Sequence, residues 1–206
     1  MSEETARIII VAGGFVGLLV WLVALSLYRR MAATGDPEFL EARMPGRTPA
    51  EAISAVIDQV KQYAAMAKFT RPTPTSFSIE QGGVQMHFAA ERAGGETRLV
   101  AGLDDARLTH KFRWGMGLLV LLVMPAVIVG LPVALWVWAA PNAQQGIRWQ
   151  AVQIVQMVHV LWPPFLVYFI WRQIRKRKQA MASNLLVLAD GESTTPSAAN
   201  PDGFAR

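Results

Sequence analysis

The chain of 206 residues has no cysteine. That excludes disulfide frameworks, thiol nucleophiles and thiolate metal sites. Charge is also scarce, at 17% of residues against about 25% in globular proteins. With 52% hydrophobic residues, the composition excludes a disordered chain, and long uncharged stretches exclude a purely soluble one. No phosphate-binding glycine loop ending in Lys-Ser/Thr is present, and no Ser or Thr has a matching His/Asp set. The chain is therefore expected not to be an enzyme and to carry no cofactor.

What is present is arranged in three apolar runs. Ile8–Tyr28, Trp114–Ala140 and Ala151–Trp171 contain none of the fifteen acidic and none of the twenty basic residues. Each exceeds or reaches the roughly 20 helical residues that cross a bilayer. In hydrocarbon every backbone N–H and C=O needs an internal partner, so each run is expected to be a helix. Trp114, Trp136, Trp138, Trp149 and Trp171 lie near run ends, where indoles favour the headgroup layer, while Trp21 and Trp162 lie deeper and are expected to pack. A signal peptide fits the first run poorly, because its leading segment is acidic and the run is too long.

Basic flanks set the orientation. Arg29, Arg30, Lys111, Arg113 and a cluster of Arg172, Arg175, Lys176, Arg177 and Lys178 would share the cytoplasmic side. The N-tail 1–7 and the loop 141–150 would lie outside. Fifteen Arg against five Lys fits a GC-rich, bacterial coding bias, so the expected location is the bacterial inner membrane. The basic cluster is expected to meet anionic headgroups and not nucleic acid, since its neighbouring aromatics belong to the membrane.

Between the first two runs lies a segment of different composition. Residues 29–47 read as a linker with a short helix after Asp36-Pro37-Glu38. Residues 48–110 read as a small cytoplasmic α+β domain. Thr48-Pro49-Ala50-Glu51 is a capping box with proline at the first helical position. Ile53, Val56, Ile57, Val60, Ala64 and Ala67 then recur at helical spacing until Arg71-Pro72-Thr73-Pro74 breaks it. Phe77 and Ile79, then Val84, Met86, Phe88 and Ala90, alternate with polar residues, and Thr97–Ala101 follows, with Gly82-Gly83 and Gly94-Gly95 as turns. The expected fold is thus three transmembrane helices (8–28, 114–140, 151–171) carrying one helix on a three-stranded antiparallel meander. A basic helical extension 172–183 and a disordered tail 184–206 complete the chain. An edge strand, Ser76–Glu80 or Thr97–Ala101, offers a route to a partner.

Two features stand out within the runs. Gly13 and Gly17 form a small-xxx-small pair that lets helix backbones approach, within the chain or between copies. Gln153, Gln156 and His159 make a loose polar stripe that runs towards Pro163-Pro164. Polar groups at membrane depth are costly and face a bundle interior or water. No charged residue and no second histidine lies in any run, which leaves an ion path or a haem site without a second party. His87 and Glu91 stand about 13 Å apart along one strand and cannot share a metal. Pro125, Gly130 and Pro132 imply a bend in the second run.

The expected function is that of a membrane scaffold or accessory subunit, holding a membrane protein partner or a second copy. The alternative is a small oligomeric transporter or channel component with a polar path along the third helix. In the assembled state, a path requires Gln153, Gln156 and His159 to line a hydrated cavity, whereas a scaffold requires them paired and dry.

Overall fold

The structure is a computed structural model, and it describes residues 3–34, 38–63, 68–81, 83–130, 132–133, 143–190 and 195–196. It is mostly helical, with a five-strand antiparallel sheet extended by one two-residue strand. Three helices are long and apolar enough to cross a membrane: Glu4–Ala33, Ala106–Gly130 and Trp149–Val187. The chain divides into two compact units, Met1–Thr34 with His110–Trp171, and Gly35–Thr109 with Arg172–Arg206.

In the first unit, α1 (Glu3–Ala33) packs against α4 (Ala143–Gln156). Small residues make this approach possible. Ala6 and Ala151 are buried together beside Ile9 and Ile10, and a methyl group added at Gly13 would collide with Cγ2 of Ile154. Gly17 faces Ile128 in the same way, with 3.4 Å to the nearest atom. The glycine pair is therefore spent on packing within the chain. Around them Ile8, Val11, Phe15 and Leu19 are exposed, as a lipid-facing surface would be.

The second long helix begins as α3 (Ala106–Gly117) and continues as two wide π-helical segments, Leu118–Val123 and Ala126–Gly130. Proline explains how the widening is tolerated. The Met124 N–H donates to the Leu119 carbonyl, five residues back. The next bond in that register would run from Pro125 to Val120, and Pro125 has no N–H. The indole N–H of Trp21 donates to the Val120 carbonyl instead, at 2.8 Å. Without that indole a buried acceptor would lose its donor, a loss of about 1–3 kcal/mol.

The third run is interrupted where its prolines fall. α4 ends at Gln156, Met157 is a turn, α5 is the single turn Val158–Leu161, and α6 (Pro163–Asp190) follows. Trp171 is buried and lies 5.7 Å from Tyr168, ring centre to ring centre, so it packs against the protein. Trp162 shows the reverse: expected to pack, it is half exposed. Trp136, Trp138 and the loop around Asn142 lie outside the described residues.

In the second unit the sheet order is β2-β3-β4-β5-β1-β6, all neighbours antiparallel. The strands are β1 (Glu38–Met44), β2 (Lys68–Thr73), β3 (Ser76–Gln81), β4 (Val84–Ala93), β5 (Glu96–Asp104) and β6 (Thr195–Pro196). The expected meander is there as β3-β4-β5, and at its centre Phe77 stacks on its cross-strand partner Phe88 at 4.8 Å. Gly94 and Gly95 both have positive φ, 62° and 91°, the geometry a two-residue hairpin turn requires. α2 (Pro49–Tyr63) lies on β4 and β5 with Ala52, Ile53, Val56 and Val60 buried. Its capping box is formed: the Thr48 N–H donates to Glu51 Oε2 at 2.8 Å, and the Glu51 N–H to Thr48 Oγ1 at 3.4 Å. These bonds hold the Glu51 carboxyl below its usual range, the Thr48 backbone N–H contributing most. Asp36, Pro37, Ala64, Ala67 and Gly82, and the tail from 197 onward, lie outside the described residues.

Four expectations for this unit need correction. The segment read as a linker with a short helix is strand β1. Glu, Leu, Ala, Arg and Met all favour helix, but pairing along β5 overrides that local preference. Arg98 of β5 secures it by donating through Nε to Glu41 Oε2 at 3.0 Å. The proline-bearing stretch is strand β2, tolerated because it is an edge strand with a register shift between Thr70 and Thr73. Consequently Ser76–Glu80 and Thr97–Ala101 are interior strands and cannot accept a partner strand. The helix after the third run also continues beyond residue 183 to Asp190, burying Leu185 and Leu186 where a tail was expected. The unit is thus more than a simple insert, since it takes in the chain from Arg172 onward.

Candidate functional site

The most distinctive site lies in the helical unit. A cavity of about 650 Å³ is lined by Ala126, Val127 and Gly130 of the second helix, and by Gln153, Gln156, Met157, His159 and Val160 of the third. All three polar residues singled out in the sequence therefore share one wall. α4 and α5 bring them there because intervals of three keep side chains near one face. Gln153 is half-buried, while Gln156 and His159 are exposed on the open side. None of the three side chains bonds to another described residue.

Prolines stand next to this wall, and the sequence alone gave no sign of that grouping. One helical turn after His159 and Val160 stand Pro163 and Pro164, which offer no N–H to those two carbonyls. In the wide register of Ala126–Gly130, the donor for Val127 would be Pro132. At three residues of the lining, proline thus removes one backbone donor of the helical pattern. The wall combines two amides and one imidazole, and no described lining residue is formally charged.

The other expected site residues separate into two groups. Arg172, Lys176 and Arg177 are exposed. Arg175 and Lys178 turn into the sheet unit: Arg175 Nη2 lies 2.5 Å from Glu38 Oε1 and its Nε 3.1 Å from Asp105 Oδ2, and Lys178 donates to Gln81 Oε1. Asp105 is 1% exposed and Arg175 11%. Burial pushes the Asp105 carboxyl above its usual range, although the Arg175 guanidinium and the Thr109 hydroxyl pull it down. The sequence showed five cations in seven residues but not that two of them have partners in the protein.

Among the described residues no group of three or more His, Asp or Glu is placed to hold a metal. No family model, no curated protein and no solved structure matches this chain.

Proposed function

We propose that this chain is a subunit of a larger membrane assembly, and that the wall of Gln153, Gln156 and His159 is where a partner's transmembrane helix docks. The observation that carries the reading is the exposure of Gln156 and His159 on one cavity wall without a described hydrogen-bond partner. In hydrocarbon an unsatisfied polar group costs several kcal/mol, so a partner able to hydrogen-bond there would be strongly favoured. The cavity is wide enough for side chains to enter from such a helix. The chain itself contributes scaffold and contacts, with no catalysis.

His159→Leu should weaken assembly by about one interhelical hydrogen bond, near 1 kcal/mol. Sedimentation in mild detergent would show the larger species dissociating at roughly fivefold higher concentration than in the parent. An unchanged assembly would remove the reading.

The cavity volume favours a second reading, in which copies of the third helix enclose a hydrated path. Proton flux in liposomes would then depend on His159, the one imidazole of the lining. The subunit reading predicts no such flux in the parent protein.

We further place the chain in a bacterial cytoplasmic membrane, with the sheet unit and the basic residues Arg172, Lys176 and Arg177 in the cytoplasm beside anionic headgroups. The support is the basic residues flanking the apolar runs. A reporter active only in the cytoplasm should work when inserted at Thr34 or after Asp190 and fail at Asn142. Activity at Asn142 would reverse the orientation.

A further inference from the structure

The Glu38, Asp105 and Arg175 cluster serves neither the polar wall nor the sheet core, yet Asp105 is almost wholly buried. Its members come from three separate stretches of chain. Glu38 opens β1, Asp105 lies between β5 and α3, and Arg175 is on α6. One guanidinium therefore fastens the 172–190 part of α6 to two carboxylates of the sheet unit. Lys178 adds a further bond to Gln81, at the end of β3.

Such a fastening is finely balanced. Removing charges from water opposes their mutual attraction, so a buried ion pair contributes little net stability while fixing geometry. The segment it holds has a second environment open to it. Residues 172–178 carry five cations, and Ala182, Leu185 and Leu186 supply an apolar side that is buried in the present arrangement. A helix with clustered Lys and Arg and an apolar side binds anionic bilayer surfaces, each nearby cation contributing about 1 kcal/mol.

We propose that Glu38, Asp105 and Arg175 form a latch that holds the 172–190 segment on the sheet unit in competition with an anionic lipid surface. In the latched state Arg175 and Lys178 are withheld from lipid, and Arg172, Lys176 and Arg177 are exposed. When the latch opens, all five cations and the Leu185/Leu186 side become available to headgroups. The two carboxylates act as the competitor that the lipid phosphates must displace. This inference is independent of the polar wall, which lies in the other unit.

The absence of cysteine permits a direct test. Spin labels at Glu96→Cys and Ala180→Cys, both exposed positions of this unit, report the distance between sheet and segment in the full chain. The parent protein should give one short-distance population in bilayer discs of zwitterionic lipid. The pair Glu38→Gln with Asp105→Asn should add a longer-distance population, enlarged at least about tenfold when anionic lipid is included. Glu38→Gln alone, at a half-exposed site that leaves the core intact, should give a smaller shift in the same direction with anionic lipid. A single unchanged distance in the folded Glu38→Gln protein, in both lipids, would overturn the latch. So would a shift of equal size in zwitterionic and anionic discs, which would show a structural ion pair without lipid competition.

Discussion

Val60→Asp should abolish the protease resistance of the sheet unit while leaving the helical unit intact. Val60 is fully buried on α2, and α2 packs on β4 and β5. An aspartate there would bring an unpaired charge into an apolar layer formed with Met86, Phe88, Leu99 and Ala101, the inward-facing residues of those strands. Losses above about 4 kcal/mol are expected from this mechanism, against about 5–15 kcal/mol for a whole domain. Asp58→Asn, on the exposed side of the same helix, should change stability by no more than about 0.5 kcal/mol. Pulse proteolysis of the full chain in mild detergent, followed on fragments from residues 38–104, separates the two. Equal resistance in both variants would show that α2 does not cover the sheet.

Gly13→Leu should damage the helical unit in the same selective way. Even the first carbon of the new side chain would collide with Ile154 Cγ2, and Ile154 is β-branched and buried, so it has little room to turn. α1 and α4 would have to separate, at about 1–3 kcal/mol or more. Gly14→Leu is the matched control, since a carbon added there meets nothing within 4 Å. Both changes raise helix propensity equally, so any difference reports packing alone. Thermal unfolding in detergent should show Gly13→Leu melting well below Gly14→Leu. Coincident curves would mean that the glycine pair does not set the approach of these helices.

These residues also show what was legible in the sequence. The three long helices were, because an uncharged apolar run of twenty or more residues matches the thickness of a bilayer core. The capping box at Thr48 and Glu51 and the Gly94-Gly95 turn were legible because their signals are local and stereochemical. β1 was not. Its residues favour helix, and only pairing with β5 and the Arg98–Glu41 contact make it a strand. β2 was hidden by Pro72, which is compatible with a strand only at an edge, and edges are decided by topology. The same topology moved the sheet's edges away from the two strands that had looked available for a partner. At the site, the stripe of Gln153, Gln156 and His159 was visible as spacing. The opposing wall of Ala126, Val127 and Gly130 was not, because it depends on how the second helix widens. Likewise the partners of Arg175 lie 70 and 137 residues away, beyond any local pattern.

The free edges bear on where a partner can bind. β2 is exposed along its length but carries Lys68, Arg71, Pro72 and a register shift, features that discourage strand addition. β1 is flanked by β6 at Leu40 and Glu41. The sheet therefore offers a poorer docking edge than the helical unit offers a docking wall.

Photo-cross-linking at that wall tests the subunit reading most directly. A photoreactive amino acid at Gln156 should yield a discrete adduct with a second polypeptide in native membranes. The same group at Phe15, an exposed position of α1, should yield only lipid adducts. The Gln156 adduct should fall sharply when His159→Leu is combined with it, since both positions line one cavity. Lipid adducts alone at Gln156, matching those at Phe15, would contradict the account.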